Sequence, residues 1–235
     1  MLQDIILLIF AQIISFETYI AFRHVSKYNY RVSHKYVYTL PRIVCENLLA
    51  ASAFRRFTAR FDHIYTLDLS HMFVVNRDLG NLGNRVTRLF LHNTGLTSVS
   101  ELGDCTIHYL DLNHTELDDA SNLGRCHTLL MCYTYVSDVS MLGGCHTINL
   151  SATDVVDVSN LGGCHTLYLR ETDVRDVSNL GNCNTLNLAD TNVTDVSDLN
   201  NCSELRLSTD KITDVSMLQN CIIYCDSKPT WRTVA

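Results

Sequence analysis

The sequence predicts an α+β protein, in which an N-terminal helical module precedes a solenoid of short repeats with a parallel sheet on one face. Two observations give this class. One motif recurs every 19 residues between residues 142 and 197, and residues 5–14 carry apolar side chains at helical spacing. A fixed period indicates stacked units, because one such unit cannot bury its apolar face alone. The predicted boundaries are 1–36 for the helical module, 37–62 for a helical linker and N-terminal cap, 63–218 for the solenoid and 219–235 for a C-terminal cap.

The repeat unit is illustrated by Cys164, Leu167, Leu169, Thr172 and Val174. The alternation of the two leucines indicates a short strand with both side chains facing the core. The threonine follows where the chain leaves the strand, and its hydroxyl can satisfy a backbone group that the turn would otherwise bury unpaired. This pattern resembles the leucine-rich repeat, with Cys at its first apolar position and Thr at its Asn/Cys position.

The segment that returns the chain to the next strand is too short for an α-helix. We expect a turn or a single 3₁₀ turn there, with Asp176 or Ser178 as the capping acceptor. Extending the register predicts eight strands, marked by the apolar pairs Leu67/Leu69, Leu89/Leu91, Leu110/Leu112, Leu129/Met131, Ile148/Leu150, Leu167/Leu169, Leu186/Leu188 and Leu205/Leu207. After Leu218 the pattern decays, which is typical of a terminal cap.

The N-terminal residues predict helices rather than a membrane anchor. The apolar run of residues 5–14 is about half of the roughly 20 residues that a membrane span needs. It also follows an acidic residue, Asp4, and lacks the basic region and cleavage site of a signal peptide. A buried helix therefore fits this run better.

Asp4 is followed by apolar residues at helical spacing, and Val25-Ser26-Lys27 follows a second helical pattern. This arrangement of residues 4–27 resembles an F-box. The sequence departs from the family pattern at Met1-Leu2, where Leu-Pro is expected, and at Asn29, where an aromatic residue is expected. In that family the segment contacts the Skp adaptor of a cullin-RING ubiquitin ligase, so the resemblance implies a Skp-type adaptor and a cullin ligase as partners. The adaptor-binding residues that it implies are Leu2, Ile5, Ile6, Ile9, Phe10, Val25, Ser26 and Lys27.

The linker between the two modules contains an apolar face and several arginines. Pro41 lies where a helix could begin, and Arg55, Arg56 and Arg60 lie mostly outside the apolar face. We expect this helix to cap the first strand of the solenoid. A basic patch for nucleic acid or lipid is the alternative, but arginines on a helix are usually a solvated face.

Six cysteines occupy one column of the repeat, where the consensus places a buried apolar side chain. Reduced Cys behaves as a small buried hydrophobe, and the sequence predicts a reducing compartment, the cytoplasm, so we expect thiols in the core. Disulfides between neighbouring coils remain the alternative. A metal site needs ligands that converge on one point, whereas this column is a line, so we interpret His127, His146 and His165 as repeat residues at the strand entrance and predict no metal site. The column comprises Cys126, Cys145, Cys164, Cys183, Cys202 and Cys221.

The sequence contains no recognisable catalytic motif. The recurrent Asp-Val-Ser segments supply one carboxylate per coil, which favours a turn cap over a calcium loop. No glycine-rich phosphate loop, H-E-x-x-H or nucleophile elbow is present. We therefore predict a protein that is not an enzyme and needs no cofactor. The net charge of −7 comes from the repeat half, because the first 62 residues are rich in Lys and Arg.

Recognition should then depend on the outward positions of the strands. Aromatic residues and Arg carry most of the binding energy at interfaces. The predicted target-binding residues are Phe90, Leu130, Tyr133, Tyr135, Tyr168, Arg170 and Arg206.

These observations predict a substrate receptor of a Skp-cullin-F-box ubiquitin ligase, whose repeats hold a target protein without binding nucleic acid or membrane. One alternative is a leucine-rich-repeat interaction scaffold without ligase function. Another is a secreted or tethered repeat protein with residues 1–14 as its anchor. The short repeats also resemble those of leucine-rich proteins encoded by giant DNA viruses, which would imply the host cytoplasm.

Overall fold

The computed structural model describes residues 37–39, 64–71, 74, 79, 86–102, 107–208 and 211–225. These residues form short strands and tight turns, and some of the turns are single 3₁₀ turns. The strands are β1 (Val37–Thr39), β2 (Ile64–Asp68), β3 (Val86–Phe90), β4 (Tyr109–Asp111), β5 (Thr128–Leu130), β6 (Thr147–Asn149), β7 (Thr166–Tyr168), β8 (Thr185–Leu188), β9 (Glu204–Leu207) and β10 (Ile222–Cys225). The 3₁₀ turns are η1 (Ser100–Leu102), η2 (Ser159–Leu161) and η3 (Ser178–Leu180).

The strands form one parallel sheet of ten strands, in which each strand pairs with the next one along the chain. Equivalent repeat positions are register partners, so that Leu167 pairs with Ile148 on one side and with Leu186 on the other. Each repeat position therefore forms a straight column of side chains along the solenoid. The predicted parallel sheet is confirmed.

The predicted α+β class is wrong. The described part of the chain is a parallel β-solenoid, and the helical structure within it is limited to 3₁₀ turns of three residues. β1 begins the segment for which a helical linker was predicted, and it pairs in parallel with β2. Val, Tyr and Thr all favour strands, which explains this result. The predicted F-box-like residues, Leu2, Ile5, Ile6, Ile9, Phe10, Val25, Ser26 and Lys27, lie outside the described residues.

The core consists of apolar columns that run the length of the solenoid. Both members of all eight predicted apolar pairs are buried, and so are Cys126, Cys145, Cys164, Cys183 and Cys202. The prediction that the cysteine column faces the core is confirmed at these positions. Burial raises the pKa of the Cys164, Cys183 and Cys202 thiols to about 12, with the adjacent cysteines adding to the effect.

Two polar columns stabilise the turns. Thr172 Oγ1 donates a hydrogen bond to the carbonyl oxygen of Leu169 at 2.7 Å, and the equivalent threonines repeat this bond at 2.6–2.9 Å. Asp176 accepts a hydrogen bond from the Ser178 backbone N–H at 2.9 Å, directly before η3. The sequence predictions of a buried threonine hydroxyl, a 3₁₀ turn and an aspartate acceptor are therefore confirmed.

The glycines of the Leu-Gly motif allow neighbouring coils to approach closely. A Cβ atom on Gly143 would lie 2.4 Å from the backbone oxygen of Asn160 in the next coil, and one on Gly162 would lie 2.2 Å from that of Asn179. Any other residue would therefore push the coils apart at these positions.

Candidate interaction surface

The strand face is formed by the residues that precede, separate and follow the two buried apolar residues of each strand. Adjacent coils place equivalent residues side by side, and the face therefore consists of parallel columns. Every predicted target-binding residue belongs to one of these columns or to the turn that follows it.

Three residues near the N-terminal end of the strand face form what we call the Arg88 cluster, namely Arg88, Phe90 and Tyr109. The Arg88 guanidinium carbon lies 4.8 Å from the centre of the Tyr109 ring and 5.6 Å from the centre of the Phe90 ring. The two ring centres are 5.1 Å apart. These distances are typical of cation–π and aromatic contacts. Arg88 and Tyr109 are register partners on β3 and β4, which holds the cluster in place.

The environment of the Arg88 cluster is partly desolvated. Burial raises the pKa of the Tyr109 hydroxyl, the Asp111 carboxylate raises it further, and the Arg88 charge opposes both effects. Tyr109 is therefore a neutral phenol at physiological pH and can donate a hydrogen bond. The Nε atom of Arg88 is buried and has no hydrogen-bond partner among the described residues.

The central part of the predicted surface lies mostly in a turn. Leu130 is half-buried in β5, whereas Tyr133 and Tyr135 follow this strand and are 55% and 63% exposed. Tyr133 has a positive φ of 55° and stacks on His114, with 4.5 Å between the ring centres. The two tyrosines are therefore presented at the edge of the strand face rather than on it.

The C-terminal part of the surface contains Tyr168 and two arginines, Arg170 and Arg206. Tyr168 is half-buried in β7. Arg170 is exposed and forms salt bridges with Asp190 and Glu171, each at 3.1 Å. The Arg206 guanidinium carbon lies 5.9 Å from the ring centre of the neighbouring Tyr224. Arg206 therefore belongs to a second cation–aromatic pair, whereas Arg170 is already engaged by carboxylates.

Sequence analysis missed Arg88 and Tyr109, although both are readable from the register. They occupy the position that immediately precedes the apolar pair, whereas the predicted residues lie between the two apolar residues or after them. Their register pairing is the signal that identifies them.

A column of histidines lies at the entrance to the strands. His108, His127, His146 and His165 stack in sequence, with 4.3–4.6 Å between ring centres. Desolvation lowers the pKa of His146, and the imidazoles of His127 and His165 lower it further. The interpretation of these residues as repeat positions at the strand entrance agrees with this arrangement. The sequence analysis omitted His108, although it follows Ile107 as the others follow Cys.

Ser70, His92 and Asp111 meet at the N-terminal end of the face, but they do not form a catalytic triad. The Nδ1 atom of His92 lies 2.9 Å from Ser70 Oγ and 3.4 Å from Asp111 Oδ2. In a catalytic triad the serine hydroxyl contacts one ring nitrogen, which takes its proton. The aspartate contacts the other ring nitrogen and orients the imidazole. Here both groups compete for the same nitrogen.

The rest of the described surface has few features of a small-molecule site. A shallow cavity of about 250 Å³ lies between two coils and is lined partly by Val156, Arg175 and Asn179. Within the described ranges, no group of three or more His, Cys, Asp or Glu residues is placed to hold a metal ion. The same ranges contain no helix of the length and apolarity needed to span a bilayer.

Comparisons with known proteins identify the architecture. An internalin C2 from Listeria monocytogenes is 23% identical, with a TM-score of 0.56 over 70% of this chain and 78% of that one. The chain has the leucine-rich-repeat fold. A leucine-rich-repeat protein from Leptospira interrogans is 14% identical, with a TM-score of 0.54 over 79% of this chain and 51% of that one. No family model and no curated protein matches the sequence.

Two further solved structures, one from Listeria monocytogenes and one from Arabidopsis thaliana, are similar to this chain. An internalin F from Listeria monocytogenes is 20% identical, with a TM-score of 0.59 over 81% of this chain and 57% of that one. The leucine-rich-repeat ectodomain of the Arabidopsis thaliana receptor kinase GASSHO1/SCHENGEN3, solved in complex with CASPARIAN STRIP INTEGRITY FACTOR 2, is 21% identical. Its TM-score is 0.51 over 65% of this chain and 22% of that one. Identities this low establish the fold alone.

Proposed function

We propose that this leucine-rich-repeat chain is a non-enzymatic scaffold that binds a protein partner along the strand face. The Arg88 cluster is the observation that carries this proposal. Its guanidinium and aromatic rings are held together on adjacent strands, so that little side-chain freedom is left to lose on binding. Arg and aromatic residues are also the residue types that dominate interface energetics.

The shape of the surface favours an extended partner segment over a small molecule. The strand face runs without interruption from Phe90 on β3 to Arg206 on β9, and cation–aromatic contacts lie near both ends. A small ligand would need a concave pocket that buries most of its surface. The plant ectodomain solved in complex with CASPARIAN STRIP INTEGRITY FACTOR 2 supports the same class of function for this fold.

A peptide library displayed on phage tests the proposal, because it samples many extended segments at once. The library is selected on the immobilised full chain, and bound clones are then measured on an Arg88→Ala/Phe90→Ala variant. We expect affinity to fall by about tenfold or more, because truncating a hot-spot residue costs about 2 kcal/mol or more and about 1.4 kcal/mol corresponds to tenfold. Met141→Ala is the matched control, since Met141 is 64% exposed but lies outside the strand face. Clones that bind all three proteins equally would refute the proposal.

A narrower function, adaptor of a cullin-RING ubiquitin ligase, is supported by the F-box resemblance of residues 4–27 alone. Under this proposal the chain works in the cytoplasm and brings its target near the conjugating enzyme by raising the effective concentration of substrate lysines. Tagged full chain is purified with Skp and cullin subunits, and the purification is repeated with Ile9→Ala/Phe10→Ala. Adaptor recovery that is lost in this variant supports the narrower function. No recovery with the wild-type chain excludes it and leaves the scaffold proposal standing.

A further inference from the structure

Two histidines at the N-terminal end of the strand face lie unusually close together. The Nε2 atoms of His71 and His92 are 3.1 Å apart, and their rings are nearly perpendicular, at 87°. Two imidazoles on one tetrahedral zinc ion, each about 2.0–2.1 Å from the metal, have their nitrogens about 3.3 Å apart. The observed separation is therefore close to that of two ligands of one ion.

The surroundings of His92 are those of a metal ligand. Its Nδ1 atom faces the Asp111 carboxylate at 3.4 Å and the Ser70 hydroxyl at 2.9 Å. When the ring hydrogen is on Nδ1, it faces these two oxygens and the lone pair is on Nε2, which is the usual tautomer of a histidine that binds a metal through Nε2. Asp111 is buried, with 8% of its surface exposed, and its Oδ1 accepts the Asn113 backbone N–H. The supporting carboxylate is thus itself fixed in position.

We propose that His71 and His92 bind one divalent transition-metal ion, of which zinc is the type, through their Nε2 atoms, with Asp111 as the residue that positions His92. Imidazole favours zinc, copper and nickel over magnesium or calcium, which prefer oxygen ligands. Water fills the coordination positions that His71 and His92 leave open, because His71 is exposed. On binding, His71 carries its ring hydrogen on Nδ1, so that both Nε2 atoms face the ion.

The histidine column provides an internal comparison. The rings of His127 and His146 are stacked, with an angle of 9° between them and 4.6 Å between their centres. Stacked rings direct their Nε2 lone pairs side by side instead of towards a common point. The pair of His71 and His92 differs, because its rings are not stacked and its two Nε2 atoms lie 3.1 Å apart.

Isothermal titration of zinc chloride into the metal-free full chain tests the proposal. We expect one zinc ion per chain, loss of this binding in His71→Gln and in His92→Gln, and weakening of about tenfold or more in Asp111→Asn. His71 is exposed, so that its substitution leaves the core intact. A His127→Gln/His146→Gln variant should bind zinc as the wild type does.

Nitrogen-15 spectra of the imidazoles give a readout that a merely structural role would not move. Zinc should shift the Nε2 resonances of His71 and His92 and leave those of the histidine column in place. A Cys132→Ser variant, which removes a half-buried thiol of the same region, should bind zinc unchanged. The proposal would be overturned if the wild-type chain bound no zinc or if Cys132→Ser lost zinc binding. It would also be overturned if zinc binding survived in His71→Gln and His92→Gln. The close contact would then be a hydrogen bond between neutral imidazoles.

Discussion

Thr172 donates a hydrogen bond from Oγ1 to the carbonyl oxygen of Leu169 over 2.7 Å, and both residues are buried. The bond closes the turn at the end of β7 and satisfies a carbonyl that has no access to water. The same relationship recurs at every threonine of the column, so one repeated hydroxyl closes the turn in successive coils.

Replacing Thr172 with Val should destabilise the solenoid by about 1–3 kcal/mol, because the Leu169 carbonyl would remain buried without a donor. Thr172→Ser should lose less stability than Thr172→Val, because serine retains the hydroxyl that donates the hydrogen bond. Urea denaturation followed by circular dichroism measures the free energy of unfolding of each variant. Thr194→Val, at an exposed position in the same half of the chain, is the control. Equal losses in Thr172→Val and Thr194→Val would contradict the role of the buried bond.

The second prediction concerns the contact between coils at Gly143. A Cβ atom there would lie 2.4 Å from the Asn160 backbone oxygen, which belongs to the next coil and cannot rotate away. Gly143→Ala should therefore cost about 1–3 kcal/mol, as overpacking of a core usually does. Gly95→Ala is the matched control, because a Cβ atom on Gly95 would have no neighbour within 4 Å and its φ is outside the left-handed region. Thermal denaturation that ranks the two variants in the opposite order would disprove the explanation.

The sequence predicted the regular coils well because each of their features is local. The apolar pairs, the Thr172 turn and the Asp176 acceptor all depend on residues within one 19-residue unit. Contacts between coils were harder to predict where the early units are longer. Ser70 and His92 are 22 residues apart, and His71 and His92 are 21 apart, so a fixed period does not align them.

The helical prediction failed at β1 for a related reason. The linker was predicted to be helical as a whole, although Val37–Thr39 is composed of residues that favour strands. Pairing with β2 then decides the conformation of these residues, and such pairing is a tertiary contact that local spacing does not reveal. The target-binding residues stay a prediction, because their role depends on a partner and not on the fold.

The third prediction is a loss of stability in acid. Hydrogen bonds from Ser159, Ser178 and Ser197 lower the pKa of Asp157, Asp176 and Asp195 below the ordinary value. Because the pKa is lower in the folded state, each carboxylate contributes fully to the free energy of unfolding above its unfolded pKa of about 3.9. This contribution is lost as the pH falls through the folded-state pKa. The urea midpoint should therefore decline below about pH 4.

The variant that tests this prediction is Asp157→Asn/Asp176→Asn/Asp195→Asn. Asn retains an acceptor oxygen but does not ionise, so the stability of this variant should change less than that of the wild type between about pH 6 and about pH 3. Asp154→Asn, an exposed carboxylate in the coil of Asp157, is the control and should keep the wild-type decline. A triple variant that loses stability in acid as steeply as the wild type would exclude the aspartate column as the cause.

The last prediction concerns the reactivity of the cysteine column. The thiolate is the species that reacts with iodoacetamide, and its fraction at about pH 8 falls about tenfold for each unit by which the pKa rises. Cys164, Cys183 and Cys202 have pKa values of about 12 because they are buried, so they should resist alkylation while the chain is folded. Cys221 is half-buried and should react sooner, although burial also raises its pKa. Mass spectrometry of peptides after timed alkylation, with and without guanidinium chloride, measures each site. Labelling of the three buried thiols at the same rate in both conditions would show that the column does not lie in the core in solution.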